Sequence, residues 1–138
     1  MKIFFAGSVR GGRKDVHTYK EIFELLTSYG ELFGEFNADK DLEEKERKSE
    51  ISDEEIYTSD IKLISQCDVF IAEVSTPSSG VGYEVGLAES LNKRILCLFR
   101  KDKGKKLSAM INGNRKIMIL EYKTIQDLKS KLRDFFST

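Results

Sequence analysis

Four short runs of apolar residues, set at wide intervals along the chain, narrow the choice of fold sharply. Each run is rich in Ile, Phe, Val and Leu and is too short for a helix. The runs occupy residues 2–7, 68–74, 94–99 and 116–122. Most are continuous rather than alternating, which is typical of strands buried on both faces of a parallel sheet. A weaker run at 31–36 predicts a further strand at the edge of that sheet.

Segments with helical periodicity separate these runs. In residues 15–29, five apolar or aromatic side chains fall on one helical face. Ser52 and Glu55 form a capping-box pattern at the start of another such segment. That segment is 53–66, and the remaining helical patterns lie at 82–92 and 124–136. Because strands and helices alternate, the sequence predicts a doubly wound α/β sandwich, Rossmann-like or flavodoxin-like, with a five-stranded parallel sheet in the order 2-1-3-4-5.

Length and charge restrict the classes of function. A chain of 138 residues is the size of one domain and contains no linker, so residues 1–138 are predicted to form a single domain. Its 23 basic and 23 acidic residues balance, which argues against nucleic acid or an anionic membrane as the main partner. No apolar run reaches the roughly 18 residues of a membrane span.

The cysteines and the histidine give no pattern for a metal site. Cys67 and Cys97 lie far apart in or beside apolar runs, and His17 is the only histidine, so zinc and haem sites are not predicted. Both cysteines are expected to be buried thiols in a reducing compartment. The sequence therefore predicts a cytoplasmic protein without a metal or a cofactor.

Two loops of small residues follow strands that are neighbours in the predicted sheet. GSVRGGR (7–13) follows the first strand, and STPSSGVGYEVG (75–86) follows the strand at 68–74. In a doubly wound sheet, ligands bind outside the carboxyl ends of the strands where the winding changes direction. Both loops are therefore expected to meet at one crevice.

Both loops have the composition of an anion site. In the first loop, glycines let backbone N–H groups approach an oxyanion, and Ser8, Arg10 and Arg13 add a hydroxyl and two guanidinium groups. In the second loop, Ser78 and Ser79 lie near a helix start, which also suits a phosphate. The first loop matches neither GxxxxGK[ST] nor GxGxxG, and a tight turn is an equal interpretation of that loop alone. One phosphate bound by both loops is the more specific hypothesis.

Two acids are candidates for the chemistry at this crevice. Glu84 is placed in the first turn of the helix that follows the second loop, where the helix dipole alone would favour an acid. Asp60 lies on the preceding predicted helix, where a surface acid is the plain alternative. Two carboxylates from separate helices beside a phosphate site would suit attack at an anomeric carbon, one as nucleophile and one managing protons. Spacing leaves both alternatives open.

The same segments resemble a known family. GSVRGGR, the pattern D-x-x-x-I-x-x-x-D-V-x-x-A-E-V that begins at Asp60, PSSGVGYEVG, NKRILCLFR and LSAMI follow one another in order. Together they resemble the 2′-deoxynucleoside 5′-phosphate N-hydrolases, a branch of the nucleoside deoxyribosyltransferase superfamily, over about residues 2–136. The resemblance implies hydrolysis of the N-glycosidic bond of (deoxy)ribonucleoside 5′-monophosphates to free base and (deoxy)ribose 5-phosphate, with no metal.

The resemblance also implies roles for individual residues. Glu84 matches the family's nucleophile, which forms a covalent glycosyl ester with C1′, and Asp60 matches the group that contacts the sugar and assists proton transfer. The implied substrate-binding residues are Phe4, Gly7, Ser8, Arg10, Gly11, Gly12, Ile56, Ser78, Gly80, Gly82 and Ser108. In the family the residue matching Ser108 reaches into the neighbouring subunit's site, which implies a homodimer. Ser108 can at the same time cap a helix at 107–112.

Two departures from the family pattern leave the substrate open. Phe4 stands where the family's deoxynucleotide hydrolases usually have tyrosine, and a related branch that cleaves cytidylate-type ribonucleotides has phenylalanine there. We therefore hypothesise that Phe4 relaxes the preference for deoxyribose. The segment FNADKD (36–41) replaces a histidine-containing segment of the family, so the base preference stays open.

The sequence leaves three further interpretations open. The charged segment 39–50 is expected to be a solvated loop or frayed helix, or alternatively a lid over the site. A nucleoside 2-deoxyribosyltransferase would use related chemistry, although it would not need an arginine-lined phosphate pocket. A non-catalytic nucleotide sensor on the same fold is the alternative from a different class.

Overall fold

Five parallel strands form one sheet in the part of the chain that the computed structural model describes, residues 1–8, 13–34, 52–102 and 104–137. The strands are β1 (Lys2–Ala6), β2 (Glu31–Gly34), β3 (Val69–Glu73), β4 (Arg94–Arg100) and β5 (Ile117–Tyr122). Their order is β2-β1-β3-β4-β5, and every neighbouring pair is parallel. The predicted fold class and strand order are confirmed. β2, which corresponds to the weaker apolar run, lies at the edge of the sheet as predicted.

A helix follows each strand along the chain, and side-chain caps fix where three of the helices begin. They are α1 (Arg13–Leu26), α2 (Asp53–Gln66), α3 (Ser79–Ser90), α4 (Ala109–Asn112) and α5 (Ile125–Phe136). The hydroxyls of Ser52, Ser78 and Thr124 accept hydrogen bonds from backbone N–H groups in the first turns of α2, α3 and α5. Because Ser78 is the cap, α3 begins three residues earlier than the predicted helix at 82–92.

The sheet is covered on both faces, as a doubly wound arrangement requires. Alternate residues of each strand point to opposite faces, so Ile3 and Phe5 pack in one core while Phe4 and Ala6 pack in the other. The first core also contains the apolar faces of α1 and α5. The second contains Ile64 of α2 and Val81, Val85 and Ala88 of α3. The helices on this second face, α2 and α3, are the ones that border the candidate site.

Some of the residues singled out in the sequence are described by the structure, and others are not. Cys67 and Cys97 are free and buried, as predicted. The charged segment 39–50 and residues Arg10, Gly11 and Gly12 lie outside the described residues. Among the helices that are described, none is both long enough and apolar enough to cross a bilayer.

A buried acid lies at the carboxyl edge of the sheet. Glu73, the last residue of β3, is only 2% exposed. Its carboxylate accepts hydrogen bonds from the backbone N–H of Ser75 (2.7 Å), from the Ser75 hydroxyl (3.0 Å) and from the Tyr122 hydroxyl at the end of β5. Burial raises the pKa of Glu73, and the bonds from Tyr122 and Ser75 oppose that rise. Glu73 thus joins β3 to β5 and to the segment that leads into α3.

Further polar contacts extend from this acid to α1. The Arg100 backbone N–H donates to the Ser75 hydroxyl oxygen (2.7 Å), and the Arg100 guanidinium donates to the Thr18 hydroxyl on α1 (2.7 Å). The Thr76 hydroxyl donates to the Asp15 carboxylate, also on α1 (2.8 Å). The segment between β3 and α3 is therefore tied to both the sheet and the helix that follows the first small-residue loop.

We expect the Glu73→Gln variant to change how stability depends on pH. Because the pKa of Glu73 is raised above its ordinary 4.5 in the folded protein, its contribution to stability is complete below that value and is lost as pH rises through the folded pKa. Urea unfolding across the acid to neutral range should show the wild type losing stability, relative to Glu73→Gln, as pH rises. The exposed acid of β5, changed as Glu121→Gln, is the control. Parallel curves for wild type and Glu73→Gln would contradict the assignment.

Candidate active site

A cavity of about 270 Å³ opens between α2 and α3 above the carboxyl end of β1. The residues that line it are Phe4, Phe5, Ala6 and Gly7 at the floor, Ile56, Tyr57, Asp60, Ile61 and Ile64 from α2, and Ser78, Gly80, Val81, Tyr83, Glu84 and Leu87 from α3 and its cap. Seven of the predicted site residues therefore meet here: Phe4, Gly7, Ile56, Asp60, Ser78, Gly80 and Glu84. Both predicted catalytic acids are among them.

Glu84 lies in the second turn of α3, so its prediction for the first turn is wrong. The Ser78 hydroxyl accepts the N–H of Val81 (3.3 Å), the helix begins at Ser79, and its first turn contains no acid. The effect of the helix dipole falls off within the first turn. A dipole contact therefore does not account for Glu84. Its side chain is partly buried, its Oε2 atom is shielded from solvent, and it lines the cavity.

Asp60 lines the cavity from the opposite wall. It lies near the middle of α2 and is partly buried, unlike a plain surface acid. Ile56 and Ile61 on the same helix also face the cavity, while Ile64 continues into the core beneath. The apolar residues that predicted α2 therefore lie partly in the core and partly at the cavity, and Asp60 lies beside those at the cavity.

Phe4 gives the floor of the cavity an apolar surface. Its side chain is only 2% exposed and stacks on Phe70 of β3, with ring centroids 5.7 Å apart and planes 7° from parallel. Phe4 also pairs in register with Phe33 of β2. Because aromatic side chains lie on both sides of it in the sheet, the position of the Phe4 ring is well determined by packing.

The two small-residue loops leave adjacent strands, as predicted. Ala6 of β1 pairs with Ala72 of β3, so the chain continues from neighbouring points into Ser8 and into the Ser75–Ser78 segment. Ser8 is buried, and Ser78 caps α3. The positive end of α3 therefore borders the cavity that Ser78 and Gly80 line.

Gly82 and Ser108 lie in a second, larger groove of about 780 Å³ rather than in the cavity. Ser78 lines both spaces, so the start of α3 borders the cavity and the groove alike. Ser108 occupies the N-cap position of α4, but its exposed hydroxyl makes no capping bond within the described residues. The predicted cap is thus present in position only, and Ser108 is one of the residues that line the groove.

Two tyrosines of the cavity were not among the site residues predicted from the sequence. Tyr57 and Tyr83 are 53% and 59% exposed, their ring centroids lie 6.2 Å apart, and their hydroxyl oxygens are 3.5 Å apart. A signal for both was available in the sequence. Tyr83 directly precedes Glu84, and Tyr57 lies three residues before Asp60, a spacing that places side chains on one helical face.

Among the described residues, no three His, Cys, Asp or Glu side chains are grouped so that they could hold a metal ion.

Comparison with known proteins gives consistent matches. The family model for nucleoside 2-deoxyribosyltransferase matches residues 3–119. A 5-hydroxymethyl-dUMP N-hydrolase of Esox lucius is 41% identical over 140 residues, which cover 99% of this chain and 96% of the relative. A protein of the same name from Danio rerio is 41% identical over 141 residues, covering 100% and 97%.

A solved structure shares the fold. The CMP N-glycosidase of Clostridium botulinum matches with a TM-score of 0.64 and 18% identity, covering 96% of this chain and 99% of that one. The chain therefore belongs to the nucleoside 2-deoxyribosyltransferase family, within the 2′-deoxynucleoside 5′-phosphate N-hydrolase branch that the sequence resemblance predicted.

Proposed function

We propose that the protein is an enzyme that hydrolyses the N-glycosidic bond of nucleoside 5′-monophosphates, releasing free base and (deoxy)ribose 5-phosphate. One observation carries the proposal: a single cavity receives Glu84 from α3 and Asp60 from α2 beside the capped start of α3. Relatives that match the whole chain are named as N-hydrolases of a nucleotide, 5-hydroxymethyl-dUMP. Their names supply the type of bond and the class of substrate.

Glu84 acts as the nucleophile in two displacement steps. In the first, a Glu84 carboxylate oxygen bonds to C1′ while the bond from C1′ to the base breaks, and the base leaves with the electron pair and gains a proton. In the second, water adds to C1′, loses a proton, and releases the carboxylate and the sugar 5-phosphate. Asp60, across the cavity, contacts the sugar and assists these proton transfers.

The phosphate of the substrate binds at the start of α3. Unpaired backbone N–H groups at a helix N-terminus and the aligned peptide dipoles favour an anion, and Ser78 and Gly80 bring this end of α3 to the cavity wall. Ser8 is buried and is the last described residue of the loop that follows β1, the strand that pairs with β3. We assign Arg10, Gly11 and Gly12 of the same loop to the phosphate as well, on the basis of the family resemblance.

Phe4 makes the enzyme tolerant of ribose. The residue lies at the cavity floor and carries no hydroxyl to contact the sugar. Its phenyl ring is held between neighbouring aromatic residues of the sheet, so it offers an apolar surface of fixed position. A 2′-hydroxyl therefore meets no competing polar group at this position, and ribonucleotides are accepted.

The active unit is a homodimer in which Ser108 completes the partner's phosphate site. Ser108 lines the 780 Å³ groove beside α3 together with Lys105 and Lys106, and not the cavity of its own subunit. Met110, two residues further, is 85% exposed, which suits a residue that another subunit covers.

A second candidate function is transfer of the deoxyribosyl group to another base, since the matching family model is described as a transferase. Both reactions would use the same glycosyl ester, and they differ in the acceptor. Incubating the enzyme with a nucleotide and a second free base distinguishes them. Exchange of the base supports transfer, and release without exchange supports hydrolysis.

The function itself is tested by following free base while the protein is incubated with a panel of nucleoside 5′-monophosphates. We expect release by the wild type and its loss in Glu84→Gln, because an amide cannot serve as the anionic nucleophile. Glu89→Gln, an acid further along α3, is the control. Rates like those of the wild type in Glu84→Gln would exclude Glu84 from the reaction. Nucleotide binding with no base release by the wild type would indicate a sensor.

The role of Phe4 is tested with matched pairs of ribo- and deoxyribonucleoside monophosphates. We expect the wild type to accept both sugars, because no hydroxyl of residue 4 competes with the 2′-position. Phe4→Tyr should shift the ratio of kcat/KM toward the deoxy substrate. Strict rejection of every ribonucleotide by the wild type would contradict the assignment.

Two helix caps offer a matched comparison for the phosphate site. Ser78→Ala and Thr124→Ala each remove a hydroxyl that caps a helix of 12 residues, and each should lower the free energy of unfolding by about 1 kcal/mol. Only Ser78 lines the cavity, so only Ser78→Ala should also raise KM for nucleoside monophosphates. Equal KM values for the two variants would argue against phosphate binding at α3.

The role of Ser108 is tested by comparing a nucleoside monophosphate with the nucleoside that lacks its phosphate. We expect Ser108→Ala to weaken binding of the monophosphate and to leave binding of the nucleoside almost unchanged, as calorimetry can measure. Sedimentation should show a dimer. An equal loss for both ligands, or a monomer that retains full activity, would oppose the proposed dimeric site.

A further inference from the structure

We infer that Tyr57 and Tyr83 together form a tyrosine lip that stacks on the nucleobase at the mouth of the cavity, and that this lip supplies base affinity without reading base identity. The inference deepens the proposed function and rests on it.

The two rings are unusual among the exposed large side chains of the described chain. Both are more than half exposed, and yet both line the cavity and contact each other, with ring centroids 6.2 Å apart. A single exposed aromatic residue requires no explanation, whereas a contiguous aromatic surface at the rim of a pocket is typical of a ligand site. Core packing does not explain the pair, because neither ring belongs to the buried clusters.

The lip lies next to the reacting groups. Tyr83 adjoins Glu84 on α3, and Tyr57 lies one turn before Asp60 on α2. The base is bonded directly to the C1′ atom that Glu84 attacks, so a base in the reactive pose must lie close to both acids. The lip provides the aromatic surface on both helices at that point.

The lip also lies at a suitable distance from the phosphate end. Tyr83 is five positions after Ser78, at the start of α3, and a helix rises 1.5 Å per residue, giving a separation of about 7.5 Å along the axis. A nucleotide bound with its phosphate at Ser78 and its C1′ atom beside Glu84 therefore extends along α3, and Tyr83 adjoins the position where its base is bonded.

The geometry of the rings defines the kind of contact. The two planes are inclined by 56°, so a flat base can stack face to face on one ring and meet the edge of the other. The two hydroxyls lie 3.5 Å apart and link α2 to α3 across the mouth. Every nucleobase has a π face, and stacking on an aromatic ring is tolerant of base identity. The lip therefore favours nucleotides over sugar phosphates in general.

The test compares binding of a complete nucleotide with binding of a ligand that lacks the base. The variants are Tyr57→Leu and Tyr83→Leu, with Tyr57→Phe and Tyr83→Phe as matched controls that keep the ring and remove the hydroxyl. Met118→Ala, an exposed apolar side chain on β5 outside the cavity, controls for the loss of a surface side chain. Ligand dissociation constants for a nucleoside monophosphate and for ribose 5-phosphate, which has no base, are measured by calorimetry, and KM and kcat by base release.

We expect each leucine variant to raise KM and the dissociation constant of the nucleotide roughly tenfold, in line with the stacking contribution of one base. kcat should change little, because stacking stabilises the bound substrate and the transition state alike. Binding of ribose 5-phosphate should stay as in the wild type, and both phenylalanine variants should bind the nucleotide more tightly than the leucine variants do, because they keep the aromatic ring.

Three results would overturn the inference: unchanged nucleotide binding in both leucine variants, equal weakening of nucleotide and ribose 5-phosphate, or a change in subunit assembly on sedimentation, which would make the lip an interface. The binding measurements do not require turnover. A wild type that binds nucleotides through the lip but never releases base would thus contradict the proposed hydrolysis while supporting the lip.

Discussion

The buried carboxylate of Glu73 holds the segment that leads into α3, and α3 forms one wall of the candidate site. This carboxylate lies at the end of β3 and binds the backbone and hydroxyl of Ser75 as well as the hydroxyl of Tyr122. A buried acid is costly unless it is fully hydrogen-bonded, so these bonds strongly favour one arrangement of the chain. Three residues after Ser75, Ser78 caps α3. The position and direction of α3 therefore depend on contacts made before the helix begins.

α3 then contributes to the site in two ways. Its start offers backbone N–H groups and the Ser78 cap, which suit a phosphate, and its second turn carries Glu84. Since both belong to one rigid helix, the distance between the anion-binding end and the acid is set by helix geometry rather than by loops. The opposing wall, α2, brings Asp60 from a separate part of the chain. The cavity thus lies between two helices that pack on the same face of the sheet.

Much of this architecture follows from local sequence patterns. The continuous apolar runs predicted the parallel sheet, and Ser52 and Glu55 marked the start of α2 where it begins in the structure. The start of α3 was misplaced because its first turn, rich in Ser and Gly, has little helical periodicity, and the cap bond of Ser78 depends on the surrounding fold. Glu73 gave a local signal, a lone acid at the end of an apolar strand, but its partner Tyr122 is 49 residues away.

The site itself was only partly predictable, because it too depends on contacts between distant parts of the chain. Glu84 and Asp60 were selected one by one, but their meeting at one cavity depends on how α2 and α3 pack on the second face of the sheet. The spacing of Tyr57 and Tyr83 to the two acids was a signal in the sequence, but their exposure and ring contact are properties of the assembled helices.

The central claim is that Glu84 bonds covalently to C1′ of the substrate. The most direct measurement is rapid acid quenching of the protein during turnover of a nucleoside 5′-monophosphate, followed by digestion and mass spectrometry of the peptides. We predict a sugar phosphate ester on the peptide that contains Glu84, located on that side chain by fragmentation. Active turnover with this peptide unmodified at every quench time, and an adduct on another residue, would contradict the claim.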